Sequence, residues 1–106
     1  MTEKEFQLLE MLVEAYERET IFSSRHEVDH PYHRTIVAWG KLYPQDIIPW
    51  LIKRCDSHKG WITITALSAI VGEKEKPRIP EKYAGRFDKL LQLWLEWGKA
   101  KGYLTA

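Results

Sequence analysis

The chain has few of the residues that cross-link or interrupt a fold. Its 106 residues include one cysteine, five prolines and six glycines. Because Cys55 is alone, an intramolecular disulfide and a multi-cysteine metal site are excluded, which fits a reducing compartment. No run reaches the roughly 18 apolar residues of a membrane span, and the acidic first residues lack the pattern of an export signal. We therefore expect a cytoplasmic protein without a membrane partner.

Charge is nearly balanced over the whole chain but not along it. The formal net charge is +1, yet residues 1–20 carry −4 and residues 21–106 carry +5. The sequence pI of about 7.9 lies below the value of about 9 that is usual for nucleic-acid-binding domains. Acids interrupt the basic residues between Arg25 and Arg86, which favours a dispersed, solvated surface over a phosphate-binding patch.

Apolar and aromatic residues are abundant for so short a chain. Hydrophobic residues make up 44% of the sequence and five residues are tryptophan. One tryptophan can bury on the order of 200 Å², so a chain of this length can form a single core. We expect one domain over residues 1–106.

Local signals predict helices in the first half of the chain. Thr2 and Glu5 have the spacing of a capping box, which predicts a helix over residues 2–20. Pro31 suits the first turn of a second helix, and Gly40 is expected to end it. A third helix is predicted to begin near residues 44–46 and to run to residue 55, with Pro49 in its first turn. The second and third helices would form an αα-hairpin.

Residues 61–71 fit two structures. Isoleucine and threonine alternate over residues 62–65, and β-branched residues favour strands. Apolar residues also recur at helical spacing through the segment, which stops at Gly72 as a helix does. A strand here would have no partner elsewhere in the sequence. We predict a buried helix, with an extended conformation of residues 61–65 as the alternative.

The last helix, predicted over residues 85–103, is apolar around more than half of its circumference. Gly98 lies within this arc, where glycine costs up to ~1 kcal/mol relative to alanine, and indicates close helix packing or an early helix end. Leu93 and Trp97 lie to one side, where a partner would bind. The core-facing line is predicted to be Phe87, Leu91, Trp94 and Gly98.

Several landmarks occur in order over residues 29–104 and resemble those of a family of small, largely uncharacterised bacterial proteins. They are His30-Pro-Tyr32, Ile36-Val-Ala-Trp-Gly40, Ile48-Pro49, Ala66-Leu-Ser-Ala-Ile70 with Gly72, Trp94-Leu-Glu-Trp-Gly98 and Gly102-Tyr103. The stretch from Gly40 to Ile52 is also similar to one turn of a HEAT-type repeat. The resemblance implies an all-α, HEAT-like fold and no particular activity.

The predicted fold is therefore an all-α single domain of about five helices. It comprises an N-terminal helix over residues 2–20, HEAT-like helices over residues 31–72 that end in the buried helix, and the tryptophan-rich C-terminal helix.

Two clusters are candidate sites. Glu10, Glu14 and Glu17 line one side of the first helix, as a solvated face or as a docking face for a basic partner. The second cluster, within eight residues, is His26, Asp29, His30 and His33. Such a set can hold zinc or serve a hydrolytic site. Because a cap on the helix beginning at residue 31 is the simpler interpretation, we predict no metal and no cofactor.

The sequence shows no nucleophile beside a base and no phosphate-binding loop, which argues against an enzyme. We expect a non-catalytic protein-binding module, acting as an inhibitor or antitoxin-like partner of another protein. The alternative is a small nucleic-acid-binding regulator. A homodimer through the last helix is compatible with both.

Overall fold

The described part of the chain is helical throughout its regular structure. The computed structural model describes residues 1–21, 31–58, 61–83 and 85–104. These residues form five α-helices and one 3-10 turn and contain no strand, so the predicted all-α single domain is confirmed. The helices are α1 (Glu3–Ile21), α2 (Pro31–Leu42), α3 (Pro44–His58), α4 (Trp61–Val71) and α5 (Phe87–Lys101), with the 3-10 turn at Glu81–Tyr83.

The capping box predicted at the start of α1 is present. The backbone N–H of Thr2 donates to the Glu5 carboxylate at 2.8 Å, and the backbone N–H of Glu5 donates to the Thr2 hydroxyl at 3.2 Å. The hydrogen bond from the Thr2 backbone lowers the pKa of Glu5, and the Thr2 side chain adds to the effect. Each residue thus satisfies a free donor of the other's backbone.

The junction between α2 and α3 differs from the prediction. We expected α2 to end at Gly40, but the helix continues to Leu42 and only Tyr43 separates it from α3. Gly40 is buried inside α2, and a Cβ built there would lie 2.2 Å from Cδ1 of Ile70 on α4. The glycine therefore allows α2 and α4 to approach closely and does not terminate the helix.

Pro49 also lies deeper in its helix than predicted. Because α3 begins at Pro44, Pro49 falls in the second turn, where it has no N–H to donate to the Gln45 carbonyl. Gln45 is exposed, so water can satisfy that carbonyl.

The ambiguous segment, residues 61–71, is the helix α4, which confirms the prediction. It packs against both α2 and α3. Thr63, Ala66 and Leu67 are almost completely buried, and this burial overrides the strand preference of the β-branched residues. Gly72 follows with a φ of +83°, and its N–H donates to the Ser68 carbonyl at 3.0 Å.

The core-facing line of α5 is shifted from the predicted one. Leu90, Trp94 and Gly98 are buried, whereas Phe87 and Leu91 are only half-buried against the core. A Cβ at Gly98 would lie about 3.0 Å from side-chain atoms of Ile52 and Leu104. The predicted close approach at Gly98 is therefore correct, and its neighbours belong to the same chain.

The helices share one core centred on α3. This helix contacts α2, α4 and α5, and side chains of α1 reach it as well. The radius of gyration is 13.2 Å, close to the value of about 13 Å expected for a folded chain of 100 residues. No helix in the described ranges has the length and apolar character needed to cross a membrane.

The capping box predicts a pH effect. Since the pKa of Glu5 is lowered in the folded chain, its contribution to stability is present above the unfolded-state pKa and is lost as pH falls through the folded-state pKa. Thr2→Ala keeps the backbone hydrogen bond, which is the larger cause, and removes the hydroxyl, so it should raise the Glu5 pKa part of the way toward the ordinary glutamate value, as measured by carboxyl NMR titration. Thr2→Ser, which keeps the hydroxyl, should leave it lowered; equal pKa values in the two variants would contradict this account.

The contact between Gly40 and Ile70 predicts a second effect. Gly40→Ala should lower the free energy of unfolding by about 1–3 kcal/mol through overpacking, although helix propensity alone favours alanine by about 0.8–1 kcal/mol. Urea denaturation measures the balance. Ile70→Ala should be less destabilising in the Gly40→Ala background than alone, because it removes the clashing atoms. A stabilising Gly40→Ala would contradict the close approach.

Candidate functional site

The acidic side of α1 is partly committed to the interior of the protein. Arg54 on α3 is only 5% exposed, and its guanidinium donates to the carboxylates of both Glu10 and Glu17. The distance from Nη2 to Glu17 Oε2 is 3.3 Å. The guanidinium also lies 5.6 Å from the centre of the Trp50 ring. We call Arg54, Glu10 and Glu17 the buried triad.

The three glutamates, which the sequence predicts to share one role, have different roles in the structure. Glu10 and Glu17 neutralise a cation that would otherwise be buried without a partner, a situation that is strongly destabilising. Glu14 is exposed and forms no ion pair with the described residues. In the sequence, the three glutamates resemble surface residues that can be replaced without effect on the fold. Replacing all three with lysine would instead disturb the packing of α1 against α3.

Trp97, predicted to face a partner, is half-buried on α5. Its indole N–H donates to the backbone carbonyl of Glu75 at 2.7 Å. Its ring stacks on Tyr103 with a centroid distance of 5.5 Å and an interplanar angle of 19°, and Trp94 meets it edge-on at 5.1 Å. Leu93, the other predicted position, is half-buried one helical turn before Trp97 on α5. A partner-binding role for the two residues stays a prediction.

Trp97 forms a wall of a pocket of about 290 Å³ where α2, α3, α4 and α5 meet. Aliphatic side chains form the inner wall, and the Trp97–Tyr103 stack forms another. We call this site the Trp97 pocket. It is lined by Gly40, Lys41, Pro44, Ile48, Ile70, Val71, Glu75, Trp97, Lys101 and Tyr103.

The charged groups of the pocket lie among these apolar walls. Lys101 Nζ lies 3.3 Å from the Glu75 carboxylate. Lys41 is exposed and has no acidic partner in the part of the chain that the structure describes. Within the described ranges, the lining therefore contains one lysine paired with an acid and one lysine without an acidic partner.

Two exposed large apolar side chains lie in the chain between two residues of the pocket lining. Leu42 is 70% exposed and Tyr43 is 43% exposed, and they separate Lys41 from Pro44, both of which line the pocket. Sequence analysis missed this pair because it assigned the residues after Gly40 to a turn. The adjacent apolar residues between two predicted helices were the available signal. Leu8 and Met11 on α1 are the other exposed large apolar residues in the described ranges.

The histidine cluster is described at one position only. His33 is buried on α2, where its ring meets Tyr16 of α1 edge-on at 6.1 Å. His26, Asp29 and His30 lie outside the described residues. Among the residues that are described, no group of three or more histidine, cysteine, aspartate or glutamate side chains is arranged to hold a metal. Cys55 is completely buried in the core, as a small apolar residue would be.

Basic side chains of the described segments are spread among acids. Lys76 pairs with Glu73 at 3.1 Å and Arg86 pairs with Asp88 at 3.3 Å. The latter contact lowers the pKa of Asp88. Lys82 and Lys89 both approach the Tyr83 ring, at 5.4 and 6.0 Å. A role in nucleic-acid binding stays a prediction, and these pairs give it no concentrated phosphate-binding patch.

Comparisons of this chain with protein families, with curated proteins and with solved structures found no match. The resemblance to the bacterial family and the HEAT-like arrangement therefore stay predictions. The Trp97 pocket and the apolar residues beside it are the observations from which a function is argued.

The buried triad predicts a graded loss of stability. Glu10→Gln and Glu17→Gln should each lower the free energy of unfolding by about 1–3 kcal/mol, less than the full penalty for a deeply buried pair because both carboxylates are partly exposed. Glu14→Gln, on the same helix, should change it by less than about 0.5 kcal/mol. Chemical denaturation measures all three variants.

The same glutamate substitutions, made in a variant that lacks the Arg54 guanidinium, provide the control. In Arg54→Met, which removes the buried cation, Glu10→Gln and Glu17→Gln should have little effect on stability. Equal losses in both backgrounds would mean that the glutamates act independently of Arg54.

Proposed function

We propose that the protein is a non-catalytic protein-binding module that contacts its partner through the Trp97 pocket and the adjoining Leu42 and Tyr43. The observation that carries this proposal is an aromatic-walled pocket with two exposed large apolar side chains between its lining residues Lys41 and Pro44 in the chain. Contiguous exposed apolar groups are characteristic of interaction sites.

The composition of the site supports protein as the class of partner. Protein interfaces place aromatic residues at a buried centre and polar residues around it, and tryptophan and tyrosine supply much of the binding energy. Here Trp97, Tyr103 and Tyr43 are the aromatic groups, and the charged ones are Lys41 and the Lys101–Glu75 pair. The same charged groups are too few to form a phosphate-binding groove, which favours a protein over a nucleic acid.

The buried triad argues against the acidic side of α1 as the principal interface. Because Glu10 and Glu17 bind Arg54, they are not free to bind a basic partner without exposing a cation to an apolar interior. Glu14 stays available, but one exposed glutamate gives little specificity. We therefore assign the pocket side of the protein as the principal interface.

A binding module of this kind acts by covering a surface of its partner, as an inhibitor or an antitoxin does. This part of the proposal is tested by the partner's own activity. Adding the purified protein in molar excess should reduce that activity, and an unchanged activity at saturation would remove the inhibitory role while leaving the binding role in place.

The interface predicts a difference between two matched double variants. Leu42→Ser with Tyr43→Ser should weaken partner binding about tenfold or more, as expected for central interface residues. Leu8→Ser with Met11→Ser removes comparable exposed apolar surface from α1 and should leave binding unchanged. The partner is captured from a lysate of the native host, identified by mass spectrometry, purified, and titrated against each variant by calorimetry.

Sedimentation of the same variants distinguishes a second copy of the chain from a different partner. The proposal predicts a monomer at the concentrations used for binding. Equal loss of binding in both double variants, or the absence of any captured partner with the wild-type chain, would contradict the proposed interface.

A further inference from the structure

We infer that the Trp97 pocket takes one large apolar side chain from a partner segment that carries carboxylates next to that side chain. This inference rests on the proposed function, because it names the chemistry of the segment that the same site would bind. It follows from the size of the pocket, its charges and the way its walls are held.

The size of the pocket fits a side chain better than a cofactor. Its volume of about 290 Å³ lies just below the ~300–1,000 Å³ range of pockets that enclose small-molecule ligands. Ile48, Ile70 and Val71 supply aliphatic surface, and the Trp97–Tyr103 stack supplies a wide aromatic wall. Burial of an apolar side chain there contributes roughly 25 cal/mol per Å².

The charges of the pocket select an acidic segment. Lys41 is the cation without an acidic partner among the described residues, so a carboxylate can pair with it while the Lys101–Glu75 pair stays intact. A basic segment would instead meet an unpaired lysine. Like charges at an interface disfavour binding, whereas complementary charges increase the association rate and fix the register.

The walls of the pocket are already held in place. The hydrogen bond from the Trp97 indole to the Glu75 carbonyl fixes the tryptophan ring. Gly102 adopts a φ of +85°, which turns the chain so that the Tyr103 N–H donates to the Gly98 carbonyl at 2.8 Å. Since Trp97 and Tyr103 need little further ordering, less binding free energy is lost when an occupant enters.

Short peptides of defined charge test the inference directly. The probes are acetyl-Asp-Asp-Phe-Asp-amide, its neutral analogue with asparagine in place of aspartate, and an acidic analogue with alanine in place of phenylalanine. Titration into the ¹⁵N-labelled protein should shift the Trp97 indole N–H resonance and the backbone amides of Gly40 and Lys41 with the first peptide. The asparagine analogue should bind more weakly, and the alanine analogue should produce no shift at the Trp97 indole.

Matched lysine variants test the role of charge. Lys41→Gln should weaken binding of the acidic peptide roughly two- to fivefold, the range for an exposed ion pair, and should leave the asparagine analogue unaffected. Lys99→Gln, an exposed lysine of α5 outside the pocket lining, should change neither. Affinity for the acidic peptide should also fall with added salt.

A pocket-filling variant tests the role of the apolar side chain. Val71→Phe places a ring in the pocket without changing a charge, and it should abolish the peptide-induced shifts while the remaining amide resonances stay dispersed. Equal affinity for the acidic and asparagine peptides would overturn the charge selection. Unchanged binding in Val71→Phe would overturn the pocket as the site.

The two proposals fail in different ways. If no peptide binds but partner capture still depends on Leu42 and Tyr43, the inference that the pocket takes an apolar side chain from an acidic segment is wrong, and the proposed function stands. If the acidic peptide binds as described but no protein partner depends on Leu42 and Tyr43, the chemistry of the pocket is correct and the proposed function is wrong.

Discussion

The burial of α3 between the other helices is the constraint on which the rest of the structure depends. Ile47, Leu51, Ile52 and Cys55 have no measurable exposure, and Ile48 is only 2% exposed. A helix covered to this extent leaves little freedom to its neighbours, because protein interiors are close-packed. The other helices must pack closely to enclose α3. This requirement accounts for the close contact between α2 and α4 at Gly40 and for the close contact of α5 at Gly98.

Among the described side chains of α3, Arg54 is the charged one that is buried, and it lies against two acidic side chains of α1. A guanidinium with five donors requires acceptors when it is buried. Glu10 and Glu17 supply them, but Nε of Arg54 has no partner among the described residues. Such a group contributes more to the specificity of helix placement than to stability, since an apolar residue of similar size would avoid the desolvation penalty. Two of the three glutamates in the acidic row of α1 thus bind a residue of the same chain, while their carboxylates stay partly exposed.

Features that depend on neighbouring residues could be read from the sequence, and features that depend on distant ones could not. The spacing of Thr2 and Glu5 predicted the start of α1. The helical spacing of apolar residues, together with the lack of a partner strand in the sequence, predicted that residues 61–71 form α4. Gly40 has the same appearance in the sequence whether it ends a helix or contacts Ile70, thirty residues away. Trp97 was recognised from its position on the apolar arc, but its pocket depends on side chains from four helices, so the sequence did not indicate its depth or its lysines.

The sequence separations within the buried triad have a consequence for the order of folding. Arg54 is 44 residues from Glu10 and 37 residues from Glu17, whereas α2, α3 and α4 follow one another along the chain and pack together. Closing a long loop costs entropy before any contact forms, and a guanidinium is poorly accommodated in an apolar interior until its acceptors arrive. Arg54 is therefore expected to stay hydrated in the transition state and to pair with Glu10 and Glu17 after the barrier.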